Sequence, residues 1–212
     1  HFWLSIADSD VLLWARGVAV NTEMDVKITE PDVSPLQLQG PKSRDVLKAA
    51  FGDAPTELKY FRFIEYNWHG IPLLISRTGW SGELGYEIYL RDGSAGNRLW
   101  EHIMDVGTSL GLRPGHTSTI RRIEAGLLSY QADMTLANNP YELGLDRLIN
   151  LEMETKFIGK EALKSIKENG IKQKLVGLEI EGDPFIGSND YFWPLLNDKS
   201  KIGTVSSAIY NP

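Results

Sequence analysis

A chain of 212 residues with 42% apolar content is long enough to bury a sizeable core and to form one to three compact units. Its net charge of −6 argues against nucleic acid or an anionic membrane as the main partner, and no apolar run approaches the ~20 residues that cross a bilayer. Cysteine is absent, which excludes a disulfide framework, a thiolate nucleophile and a cysteine zinc site. His1, His69, His102 and His116 are too scattered for a helical metal pair. No signal peptide is visible and the first residue is not Met, so the chain reads as a fragment or a processed form. A cytoplasmic location fits this composition.

In chain order, residues 2–7 are apolar and aromatic and predict a strand that begins abruptly. Ser9 or Asp8 can cap a helix over Val11-Leu12-Leu13-Trp14-Ala15, weakened by Gly17. Residues 25–29 alternate and predict a strand; Pro31 and Pro35 punctuate a domain junction. Leu36-Gln37-Leu38-Gln39-Gly40 predicts a short strand, and Pro41 opens a helix whose apolar face is Val46, Leu47, Ala50 and Phe51, ended by Gly52. Residues 61–68 and 71–75 predict a hairpin across His69-Gly70. A glycine loop follows, then a strand over residues 86–90. Residues 95–110 predict an amphipathic helix with Leu99, Trp100, Ile103 and Val106 facing inward, closed by Gly111. The next helix is expected over 117–130, with Ile120, Ile123, Leu127 and Leu128 inward. Residues 156–169 contain a helix through Ala162, Leu163 and Ile166, ended by Gly170. A strand over 175–180 then opens a turn-rich segment, which reads as the start of a small β domain.

The glycine loop, Ser76-Arg77-Thr78-Gly79-Trp80-Ser81-Gly82-Glu83-Leu84-Gly85-Tyr86-Glu87-Ile88-Tyr89-Leu90, is the most informative stretch. Its glycines make GxxGxxG rather than GxGxxG, no helix opens after them, and Tyr86-Glu87 stands where a phosphate loop needs Lys-Ser/Thr. The loop can bring backbone close to a flat ligand; a plain strand connection using glycine's conformational freedom explains it about equally well. Glu87 is a carboxylate in an apolar-aromatic strand, where it must meet donors. A salt bridge to Arg91 or Arg122 would serve, and so would a ligand presenting two parallel N–H donors, as a pterin does. Arg121 and Glu124 are placed for an i, i+3 ion pair, while Asp133 and Glu142 read as solvated carboxylates near turns. Trp80 stands inside the loop, where there is little core to bury it, and so reads as a ligand wall.

Taken together, Leu36-Gln37-Leu38-Gln39-Gly40-Pro41-Lys42-Ser43, the glycine loop, Arg122-Ile123-Glu124-Ala125-Gly126-Leu127, Asn139-Pro140-Tyr141-Glu142 and Phe157-Ile158-Gly159-Lys160-Glu161-Ala162-Leu163 resemble the glycine-cleavage T-protein family of folate-dependent aminomethyltransferases and its relatives. The opening His1-Phe2-Trp3-Leu4-Ser5-Ile6-Ala7-Asp8-Ser9-Asp10 and Trp80, where aminomethyltransferases usually carry Tyr, are most similar to the dimethylsulfoniopropionate demethylase branch. The resemblance implies an α+β, three-lobed fold around a folate-binding hole. Residues 1–32 would end the first lobe, 33–112 form a second lobe with the glycine loop, 113–171 return to the folate lobe, and 172–212 begin a C-terminal β-barrel domain, which Ile202-Gly203-Thr204-Val205-Ser206-Ser207 matches.

The resemblance also implies that Glu87 clamps the pterin, that Phe2 and Leu4 touch it, and that Trp80 and Tyr89 line the substrate site. Two positions depart from the aminomethyltransferase pattern: Ser118 replaces a folate-binding Arg, and Arg147 replaces a Trp after the Pro-x-Glu motif. The family's catalytic Asp is expected upstream of residue 1, and a folate-contacting Arg downstream of Pro212, so these 212 residues alone are expected to be weakly active or inactive. The implied function is tetrahydrofolate-dependent demethylation of dimethylsulfoniopropionate to 3-(methylthio)propanoate, a transferase of the EC 2.1.1 class, without metal. An aminomethyltransferase acting on a lipoyl carrier protein is the alternative. Another is a non-catalytic folate module, or the folate lobe of a dimethylglycine or sarcosine dehydrogenase-like protein. Expected partners are small molecules, substrate and folate, with no nucleic acid and no membrane; a homodimer remains open.

Overall fold

The computed structural model describes residues 2–6, 11–20, 22–187, 189 and 191–210. The chain forms two compact units, His1–Leu127 and Leu128–Pro212. The proposed caps Asp8 and Ser9 lie outside the described residues. The helix they were to start, α1 (Leu12–Val20), runs on through Gly17.

The first unit is built on an antiparallel sheet in the order β1 (Ser34–Gln39), β4 (Gly85–Leu90), β3 (Ile71–Ser76), β2 (Phe63–Trp68). The hairpin between β2 and β3 forms across His69 and Gly70. Their φ values of 51° and 87° are both positive, as a two-residue hairpin turn whose twist matches the strands requires. One face of the sheet is covered by α2 (Ser43–Phe51) and α3 (Gly96–Thr108). Alternation along β4 sends Tyr86, Ile88 and Leu90 into this layer, where they meet Leu38, Leu73 and Ile75 from the neighbouring strands and Val46, Leu47, Phe51, Leu99 and Ile103 from the helices. Gly52 ends α2 at φ 79°. Trp100, expected inward, is 44% exposed. It follows Leu99 by a turn of about 100°, which takes it off the stripe that Leu99 and Ile103 share.

Three expected strands do not form. Residues 2–6, 25–29 and 175–180 take no regular secondary structure and have no ladder partners among the described residues. Apolar alternation makes a strand only where another strand supplies hydrogen bonds. The helix expected over 117–130 is shortened to α4 (Thr119–Glu124), because Gly126 turns the chain at φ 68°. Ile120 on it is exposed, and the side chain it buries is Arg122. In the second unit, α5 (Lys160–Asn169) ends at Gly170 as the sequence predicts, and β5 (Trp193–Asn197) and β6 (Ser200–Val205) form a two-stranded hairpin. No described helix is long and apolar enough to cross a membrane.

Candidate functional site on the uncovered face of the sheet

Because Tyr86, Ile88 and Leu90 occupy the core face of β4, Glu87 and Tyr89 project from the opposite face. Register brings Gln37 of β1 and Ser76 of β3 beside Glu87, as its Cα partners on either flank. Oε1 of Glu87 accepts from Gln37 Nε2 at 3.3 Å. Oε2 accepts from the hydroxyls of Thr78 and Tyr89, the latter at 3.2 Å. Ser76 Oγ lies 2.5 Å from Thr78 Oγ1. Thus neither salt bridge nor ligand is needed to satisfy the half-buried carboxylate, since neutral donors already surround it. Arg91, one of the salt-bridge candidates, sits instead 3.6 Å from Glu65 and over the ring of Trp3.

Burial pushes the Tyr89 hydroxyl up to about 12, reinforced by the Glu87 charge and by the hydrogen bond to it; Ser76 acts in the opposite direction. Tyr89 is therefore a fixed donor at neutral pH. Trp3 meets its ring edge-on, with centroids 6.1 Å apart. The side chains named with Trp3, Phe2 and Leu4, are 96% and 81% exposed. Among the described residues they stand on a segment without regular secondary structure rather than on the strand the sequence suggested.

The glycine loop is organised by a residue that the sequence does not single out. Gln39 faces Gly85 across the β1–β4 ladder. Its amide oxygen accepts from Ser81 Oγ at 2.6 Å, and its nitrogen reaches the Thr78 and Tyr86 carbonyls at 3.5 Å. A Cβ on Gly79 or Gly85 would fall 2.4 or 2.2 Å from this side chain. Those two glycines make room for Gln39, not for a ligand. Gly82 adopts φ 71° and lies where a Cβ would meet Ala125 at 2.5 Å.

Trp80 is half-buried, and the Arg122 guanidinium lies 5.8 Å from its ring centre, so one aromatic face already carries a cation. Arg77 is held between the Tyr60 and Tyr86 rings and donates to the Gly85 carbonyl at 3.1 Å. Beside it is a cavity of about 420 Å³, bordered by Tyr60, Gly82, Glu83 and Leu127; Glu87, Tyr89 and Trp80 do not line it. The structure therefore joins Glu87 to Tyr89 directly, and sets Trp80 against α4.

Other candidates take structural places. The Ser118 side chain accepts from Arg121 N at 3.4 Å as the N-cap of α4. Arg147 is exposed in a short 3-10 turn. Asp133 is not simply solvated: Ser206 and Ser207 donate to Oδ1 at 2.9 and 2.5 Å, and Ser129 N donates to Oδ2 at 2.9 Å. Glu142 accepts from Asn139 N at 3.2 Å while Asn139 Oδ1 accepts from Tyr141 N and Glu142 N, closing a loop on itself. No group of three or more His, Asp or Glu among the described residues could hold a metal ion.

Residues 1–153 match the family model described as the GCVT N-terminal domain. The whole chain is 41% identical to the dimethylsulfoniopropionate demethylase DmdA of Ruegeria pomeroyi, covering 57% of that protein. Over 187 residues it is 37% identical to an aminomethyltransferase of Bacillus mycoides, covering 85% of this chain and 49% of the relative. The crystal structure of the glycine cleavage system aminomethyltransferase T from Bartonella henselae superposes with a TM-score of 0.73 at 26% identity, over 91% of this chain and 52% of that one. The chain thus spans roughly half to three-fifths of the length of these relatives. A mixed α/β sheet unit of T-protein type, five motif segments in order and a family match over 153 residues agree, and the chain belongs to the glycine-cleavage T-protein family.

Proposed function

We propose that the protein is a tetrahydrofolate-dependent transferase that takes a methyl group from dimethylsulfoniopropionate and leaves 3-(methylthio)propanoate. The observation that carries this reading is Glu87: a half-buried carboxylate on the sheet face that α2 and α3 do not cover, with donors on both oxygens. An ionised carboxylate offers about four acceptor positions. Gln37, Thr78 and Tyr89 occupy three, so the residues present fit a flat ligand with paired N–H donors, which gains the open position and replaces one neutral donor. When bound there, tetrahydrofolate would supply N5 as the methyl acceptor; the S–C electron pair would stay on sulfur and the N5 proton would be released. The chain's own task is binding, orientation and exclusion of water. Phe2 and Leu4 offer exposed apolar surface for the pterin, and the Trp80 and Tyr89 rings offer aromatic faces for the sulfonium, an attraction of about 1–2 kcal/mol when desolvated.

Support for the sulfonium donor comes from the 41% identity to a protein named for that reaction and from Trp80 in the loop. A second reading, aminomethyl transfer from a lipoyl carrier protein, is favoured by the relatives named aminomethyltransferase at 35–37% identity. Assaying the full-length protein with tetrahydrofolate and either donor separates them. Methyl transfer from the sulfonium is expected, and turnover of the aminomethyl carrier alone would reverse the choice. Glu87→Gln, which keeps one acceptor oxygen, should weaken folate binding by about tenfold or more; unchanged affinity would remove Glu87 from the site.

A further inference from the structure

Thr78 has one hydroxyl proton and two close oxygen neighbours, Glu87 Oε2 and Ser76 Oγ. An ionised carboxylate only accepts, so the Thr78 proton goes to Glu87. Within that pair Ser76 is then the donor in its 2.5 Å contact with Thr78, its proton shared with the Tyr89 oxygen that it also faces. The result is a directed chain, Ser76 to Thr78 to Glu87, in which each hydroxyl polarises the next. Its root is fixed, because Ser76 is 8% exposed and sits in β3 as the cross-strand neighbour of Glu87. Its middle member stands where the glycine loop leaves β3, and the Thr78 carbonyl receives Gln39 Nε2 at 3.5 Å. The other two donors on the carboxylate are looser: Gln37 is exposed and 3.3 Å away, and Tyr89 is 3.2 Å away. Glutamate has three side-chain torsions, and a carboxylate left to rotate would bind a planar donor pair poorly.

We propose that Thr78 is a positioning residue: its hydroxyl, oriented by Ser76, fixes the Glu87 carboxylate in the plane that receives the ligand. The inference rests on the folate reading given above and adds a residue outside the expected contact set. Thr78 acts through Glu87 rather than on the ligand.

The test uses the full-length protein, tetrahydrofolate or the air-stable 5-formyltetrahydrofolate as probe, and calorimetric titration. Thr78→Val keeps the β-branched shape and removes only the hydroxyl; Thr78→Ser restores it. Thr78→Val should weaken folate binding about tenfold, the scale of a hydrogen bond to a charged group, and Thr78→Ser should return most of that loss. In a Glu87→Ala background, the Thr78→Val penalty should fall to less than about twofold, because coupled residues are not additive. Wild-type affinity in Thr78→Val, no recovery in Thr78→Ser, or a full penalty in the absence of Glu87 would each overturn the proposal while leaving the folate reading intact. Absence of folate binding by the wild-type protein would instead remove the folate reading and this proposal together.

Discussion

Glu87 shows what a half-buried carboxylate in a strand needs. In a strand it would cost free energy to bury unpaired, and the fold supplies Gln37 and Thr78 from flanking elements and Tyr89 from the same strand. Tyr89 is a donor that a ligand can displace without moving its ring, since its bond is 3.2 Å long and the ring is independently placed against Trp3. Tyr89→Phe keeps the ring and frees one acceptor position on Oε2. Folate affinity should therefore rise about threefold to tenfold, whereas a loss would mean that the hydroxyl itself contacts the ligand. The same hydroxyl gives a pH signature. Its folded value is raised to about 12 from an unfolded value near 10, so its contribution to stability is complete below pH ~10 and is lost as pH rises through about 12. The difference in tyrosinate absorbance between wild type and Tyr89→Phe should have its midpoint near 12; a midpoint near 10 would mean that the ring is not held against Glu87.

At the scale of elements, the glycine loop and the β1–β4 pair are one structure. Gly79 and Gly85 do not need unusual backbone angles; they need space, and Gln39 fills it. This makes a specific expectation. Gly85→Ala should displace the Gln39 amide, break its 2.6 Å bond with Ser81 and destabilise the unit by about 1 kcal/mol. Adding Gln39→Ala should cost little more, because the clash and the bond vanish together. Equal, additive losses in denaturant melts would show that Gln39 is not what the glycines accommodate. The sequence made the neighbouring hairpin legible, since His69-Gly70 between two apolar runs admits few other turns. It made β4 and the side of it on which Glu87 stands legible for the same local reasons. The contacts of Gln39 and Thr78 were hidden because they depend on which residues lie across the ladder, a fact of register rather than of neighbouring residues. Residues 2–6, 25–29 and 175–180 illustrate the converse error, where a local pattern has no partner strand among the described residues. Arg122 illustrates a third, in which a charged residue is buried against Trp80 while its apolar neighbour Ile120 is exposed.

Across the whole molecule, burial is unequally shared. The hydrophobic cluster extends from Leu38 to Ile103, all within the first unit, and includes Leu47, Ile75 and Ile88 at 0% exposure. Among the described residues of the second unit, Ala208 is the one hydrophobic residue counted as buried. Leu163 and Ile166 on α5 are only half-buried, and β5–β6 is a two-stranded hairpin, an arrangement with little independent stability. Opening free energy should follow this distribution, since amides in a packed core exchange only on global unfolding while lightly packed elements open locally. Native-state hydrogen exchange on the protein should therefore find the slowest amides in β3 and β4, held between flanking strands and beneath α2 and α3. Amides of β5, β6 and α5 should exchange faster, through openings that a core substitution barely changes. Ile75→Ala should cost about 2–5 kcal/mol and accelerate β3 and β4 exchange accordingly, with α5 little affected. Uniform acceleration across both units would instead mean that they unfold as one cooperative block. Glu87, Ser76 and Gln37 all stand on strands of the well-buried sheet, so the face proposed to bind the ligand is fixed by the part of the chain with the deepest core.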